Sequence, residues 1–73
     1  MSVLRNNFGK RLRQIRRQKD ITQEQLAEAI GVSPTFMSNL ERGINGPSFD
    51  ILQKLTEVLG VPARDFFDFP EEK

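Results

Sequence analysis

The chain has 73 residues, 37% of them apolar and 29% charged, with a formal net charge of +1 and neither cysteine nor histidine. That length allows one small domain. Without those two residue types there is no disulfide framework, no thiolate or imidazole zinc site and no nucleophile with a His base. No apolar run approaches the ~20 residues needed to span a bilayer. Arg5 and Lys10 interrupt any signal-like apolar block at the start, so an intracellular, cytoplasmic domain is expected, with no membrane, metal or cofactor. Charge is placed unevenly: residues 1–19 hold seven cations and no acid, and the remainder four cations and ten acids. Such a sequence can present a positive face to a polyanion despite its modest total.

In chain order, the first predicted helix covers roughly residues 2–19. Leu4, Phe8, Leu12 and Ile15 recur at steps of four, four and three and form one apolar stripe. Thr22 opens the second helix, with Gln25 three residues later in capping-box spacing and Glu24 in the first turn, where the helix dipole favours an acid. Leu26, Ala27 and Ile30 form its apolar face, and Gly31 ends it. Ser33 as N-cap and Pro34 at the first helical position start the third helix. Phe36, Met37 and Leu40 are its apolar positions, and Gly43 is expected to close it as Gly31 closes the second.

Asn45-Gly46-Pro47 is a turn sequence. Ser48 then caps a fourth helix carrying Phe49, Leu52, Leu55 and Leu59, which Gly60 ends. Pro62 opens a fifth short segment running to about Phe69, and Pro70 stops it. A frayed tail is expected over Glu71-Glu72-Lys73. No stretch alternates apolar and polar residues as a strand would. The expected fold is an all-α compact bundle of five short helices in a single domain, residues 1–73.

The second and third helices are joined only by Gly31-Val32-Ser33. A joint this short cannot lay them side by side, so they should cross steeply. Ala27 is small enough for close crossing. Val32, Leu26, Ile30, Met37 and Leu40 would seal the joint from beneath. Ser33, Pro34, Thr35, Ser38 and Asn39 are then left facing outward.

The stretch QEQLAEAIGVSPTFMSNLER, residues 23–42, resembles the helix-turn-helix of the phage-repressor and Cro family, the XRE family of bacterial regulators. The resemblance extends through FGKRLRQIRRQKDIT before it and ERGINGPSFDILQKLTEVLGV after it, over roughly residues 8–61. It implies a lambda-repressor-like fold and a sequence-specific transcriptional regulator, repressor or activator, with the restriction–modification controller type among the forms it could take. Such a regulator binds double-stranded DNA as a homodimer on a palindromic operator, with the recognition helix, residues 34–42, in the major groove.

Carried over by position, Pro34, Thr35, Ser38 and Asn39 would face bases. Asn39 suits adenine, Thr35 a base edge or a thymine methyl, and Pro34 shape alone. Gln23, Ser33, Arg42, Arg13 and Arg17 would lie near phosphates, with Lys10 adding general attraction. The alternative for Arg42, given less weight, is to complement the negative end of its helix. An Arg16–Glu41 ion pair is implied as a structural brace. Asp20 stands where the family usually has glycine in a left-handed conformation, which Asp tolerates better than most residues.

Phe66, Phe67 and Phe69 are three of six phenylalanines. One face of a short helix cannot bury all three. Phe66 and Phe69 would share a face and Phe67 point elsewhere. An exposed aromatic cluster marks an interface, so residues 62–69, with Val58 or Ile51, are expected to form the dimer contact. The alternative function is an antitoxin or adaptor module that mainly holds a protein partner through its acidic, aromatic C-terminal part. An enzyme is not expected, because the chain has no Gly-rich phosphate loop and no paired-carboxylate cleft. Nor is a small-molecule effector, because the chain has no room for a sensor domain.

Overall fold

A computed structural model of the chain describes residues 3–69. Four α-helices, α1 (Val3–Gln18), α2 (Gln23–Ile30), α3 (Pro34–Glu41) and α4 (Phe49–Leu59), are followed by a 3-10 helix, Ala63–Phe67. There is no strand among the described residues. Pro70 and the tail 71–73 lie outside them. None of the described helices is long and apolar enough to cross a membrane.

Side chains set the helix starts. Thr22 accepts a hydrogen bond from the Gln25 backbone N–H (3.0 Å), and the Gln25 side chain accepts one from the Thr22 N–H (2.9 Å). Both halves of the capping box are therefore made, and two otherwise orphaned donors are satisfied. Ser33 caps α3 through the Phe36 N–H, and Ser48 caps α4 through the Ile51 N–H. The helix ends differ. Gly31 and Gly60 take the left-handed conformation directly at the C-caps of α2 and α4. In α3 the C-cap is Arg42, still right-handed at φ −87°, and the left-handed residue is Gly43, one place later. Asp20, at φ 58°, is the one non-glycine residue with positive φ among those described, and it turns the chain from α1 into α2.

The fifth segment is a 3-10 helix and not an α-helix. Pro62 caps it without a side-chain hydrogen bond. Only five residues are available, too few for the hydrogen-bond ladder that sustains an α-helix. It is held from outside by Arg11, whose Nε donates to the Asp65 carbonyl at 2.7 Å.

Phe8, Leu12, Ile15, Leu26, Ala27, Ile30, Met37, Leu40, Leu55, Leu59 and Phe66 form one core. Of the expected stripe residues, Phe36 and Leu52 are partly buried against this core, and two more are left outside it. Leu4 is 58% exposed and Phe49 is 90% exposed. Each sits in the first turn of its helix. Gly9 of α1 lies tightly against the end of α3. A Cβ there would come within 2.5 Å of the carbonyl oxygens of both Leu40 and Glu41.

Gly9→Ala therefore sets two effects against each other. Alanine gains ~0.5–1 kcal/mol of helix propensity, whereas overpacking against two backbone groups costs ~1–3 kcal/mol. The steric term prevails, because backbone cannot rotate away as a flexible side group does. Urea denaturation should show a net loss of about 1–2 kcal/mol. A variant as stable as the parent would mean that α1 and α3 do not meet so closely.

Candidate nucleic-acid interface

The exposed surface of α3 is built from its first residues. Ser33, at the cap, is exposed and its hydroxyl is occupied by the Phe36 N–H. Pro34 and Thr35 are exposed, while Ser38 and Asn39 are half-buried. The opposite side of the helix carries Met37, Leu40 and Glu41, all buried. One short helix thus has an apolar side that docks it and a polar side that faces out.

The anchor is ionic. Arg16 and Glu41 are only 7% and 6% exposed. The Arg16 Nε donates to Glu41 Oε2 at 2.6 Å and Nη2 to Oε1 at 3.0 Å, a bidentate pair. Two further bonds complete the cluster. Arg16 Nη1 donates to the Ile21 carbonyl (2.7 Å), and Gln23 Nε2 donates to Glu41 Oε1 (2.9 Å). The Arg13 Nε stands 3.9 Å from the same oxygen, with its side chain 54% exposed. The burial of two charges is compensated only when their hydrogen bonds are complete. Among the described residues no buried side-chain polar atom lacks a partner.

Around this anchor the cations divide. Arg16 is committed to the interior. Lys10, Arg13 and Arg17, with Gln14 and Gln18, line an open groove along α1. Arg42 is exposed at the end of α3. The Gln23 side chain, expected beside a phosphate, is half-buried and bonded to Glu41. That bond was not legible in the sequence, because it spans 18 positions and depends on how α2 meets α3.

The C-terminal aromatics sort differently from expectation. Phe66 is fully buried, its ring centroid 5.8 Å from that of Phe8. Its side chain therefore has no surface to offer a second copy, and the expectation of Phe66 at a dimer contact is corrected. It also does not share a face with Phe69. Phe69 lies beyond the 3-10 helix and meets Phe67 edge-on at 6.2 Å. Phe67 is 40% exposed, with its ring also against Phe8 at 5.5 Å. Val58 is likewise 40% exposed, while Ile51 is half-buried and packed on the core.

This arrangement of α2, a three-residue joint and α3 coincides with a family model described as helix-turn-helix, which matches residues 12–66. The chain belongs to the helix-turn-helix family. It is 40% identical over 63 residues to the control protein C.BamHI of Bacillus amyloliquefaciens, covering 85% of this chain and 78% of that protein. Some other relatives are longer. The chain spans 35% of the transcriptional regulator PuuR of Escherichia coli, to which it is 38% identical.

Among solved structures, the restriction–modification controller C.AhdI of Aeromonas hydrophila superposes with a TM-score of 0.81 at 34% identity, covering 85% of this chain and 94% of that one. The biofilm regulator SinR, solved in complex with DNA, superposes with a TM-score of 0.77 at 34% identity, covering 84% and 98%. In this helix-turn-helix, α2 is the first helix and α3 the second.

Removing one partner of the anchor should be far worse than removing both. Glu41→Ala strands a buried guanidinium and should cost about 3–5 kcal/mol in chemical denaturation. The double variant Arg16→Met, Glu41→Leu fills the space without charge and should recover most of that loss. Equal losses in the single and double variants would show that the pair is not the anchor.

Proposed function

We propose that the chain is a sequence-specific double-stranded DNA-binding transcriptional regulator, acting in the cytoplasm. It binds as a homodimer to a palindromic operator, with α3 in the major groove. The observation that carries this reading is the division of α3. Its far end is locked by Arg16, Glu41 and Gln23, and opposite its buried Met37 and Leu40 it leaves Pro34 and Thr35 exposed and Ser38 and Asn39 half-exposed. A helix presented in this way suits the wide groove of B-form DNA. The similarity to SinR, solved with DNA, supports the same reading.

Thr35, Ser38 and Asn39 are the proposed base readers, with Pro34 contributing shape. The Asn39 amide can pair with adenine N6 and N7, and the Thr35 methyl can meet a thymine methyl. Ser33, Gln23, Arg42, Arg13 and Arg17 are proposed to face phosphates. Gln23 would do so through its backbone N–H at the start of α2, since its side chain holds Glu41. The proposed dimer contact is formed by Phe67, with Val58, Phe69 and the exposed part of Ile51.

Titration on a palindrome from the region upstream of the gene should give specific binding, with half-sites about one helical turn (~34 Å) apart. Affinity should fall steeply with added salt as counterions are released. Asn39→Ala should lose ~1–3 kcal/mol of discrimination at one base pair. Arg42→Ala should weaken all sequences alike. If Asn39→Ala weakened specific and random DNA equally, Asn39 would not be a base reader.

The dimer is tested by sedimentation. Phe67→Asp places a charge on the proposed contact and should shift the protein to monomer mass. An unchanged mass would remove the C-terminal surface as the interface.

A further inference from the structure

We propose that Asn45-Gly46, in the loop between α3 and α4, is a spontaneous deamidation site whose acidic products weaken DNA binding. The effect on binding rests on the functional reading above, whereas the chemistry of the site does not. In this step the Gly46 backbone nitrogen loses its proton and attacks Cγ, the amide carbon of Asn45. The bond from Cγ to Nδ2 breaks, and that nitrogen leaves as ammonia, taking up the proton. A five-membered succinimide remains. Water then adds to either ring carbonyl and opens the ring, giving aspartate or isoaspartate. No oxidant or reductant is involved.

The structure singles out this asparagine from the four in the chain. Asn6 and Asn7 are followed by residues inside α1, and Asn39 by Leu40 inside α3. There the following nitrogen is held in the helical ladder and cannot turn toward the side chain. Gly46 lies outside any helix and is exposed, and its N–H donates to no described residue. The Asn45 side chain likewise makes no hydrogen bond among the described residues. Glycine also puts no Cβ in the path of ring closure.

The consequence follows from where Asn45 is tied. The Asn39 carbonyl accepts the N–H of Ile44 at 2.9 Å and that of Asn45 at 3.3 Å. The loop is thus fastened to the residue proposed to read adenine. Either product puts a carboxylate just beyond the negative end of α3, where the helix dipole already disfavours it. A nearby phosphate backbone would repel it as well. Isoaspartate also routes the backbone through an extra methylene, which displaces the fastening.

The purified full chain, aged at neutral and mildly alkaline pH and digested for mass spectrometry, tests the chemistry. Acid should form faster at Asn45 than at Asn6, Asn7 or Asn39, and faster at the higher pH. Gly46→Ala should slow it severalfold. That variant is tolerable, because φ of Gly46 is not left-handed and a Cβ would meet only the flexible Arg5 side chain at 3.2 Å. Fresh Gly46→Ala should bind DNA like the parent.

Asn45→Asp, and the aged parent separated by ion exchange, should bind specific and random duplex about tenfold more weakly. The aged sample keeps the test valid even if the substitution perturbs folding. Acid forming at Asn45 no faster than in the helices would overturn the proposal, as would undiminished binding by the aged protein. A fresh parent that binds no duplex would sink the DNA-binding reading, while the mass spectra would still decide the chemistry.

Discussion

A single buried carboxylate joins three parts of this small molecule. Glu41 stands at the end of α3, and its two oxygens are taken by Arg16 of α1 and by Gln23 at the start of α2. An eight-residue helix has little stability of its own, because it ends before nucleation is repaid. The position of α3 must therefore come from outside it. Met37 and Leu40 supply a non-directional apolar contact, and the bidentate pair supplies direction. A buried pair of this kind is weak evidence for stability. Its effect here is to set the angle and register at which α3 is presented.

With one end of α3 anchored in this way and Met37 and Leu40 docked on the core, its outer face is left open. Ser33 completes the cap, and Pro34 needs no hydrogen bond at its nitrogen. The side chains of Thr35, Ser38 and Asn39 make no hydrogen bond among the described residues. Cations follow the same division. Arg16 is consumed by the interior, whereas Arg13 stands beside the already satisfied Glu41 with most of its side chain in water. Proximity to a carboxylate therefore does not make Arg13 a structural residue.

Local chemistry made much of this legible. The Thr22–Gln25 box, the Ser33 and Ser48 caps and the glycines after α2 and α4 are sequence patterns with local causes, and each stands where the pattern puts it. The left-handed turn at Asp20 was legible through resemblance to a family that prefers glycine there. Periodicity was less reliable near helix starts. Leu4 and Phe49 keep the period of their stripes but stay largely exposed, because a stripe gives direction and not the extent of the facing element. The fifth segment starts after Pro62 as the sequence puts it, but it ends at Phe67 and not near Phe69, too short to be an α-helix.

The aromatic tail marks the limit most clearly. Phe66, Phe67 and Phe69 are chemically equivalent, and composition alone says only that the core cannot take all three. Which one enters depends on the 3-10 rise, on Arg11 holding the Asp65 carbonyl and on the position of the Phe8 ring. By itself the sequence determined the helices, their caps, the short joint and the polar outer face of α3, since these depend on neighbours a few residues apart. Only the tertiary structure decided that Gln23 serves Glu41, that Phe66 is core and Phe67 surface, and that Asn45 is fastened to Asn39 while the next amide donates to no described residue. Those outcomes depend on distances between separate helices, which no local pattern encodes.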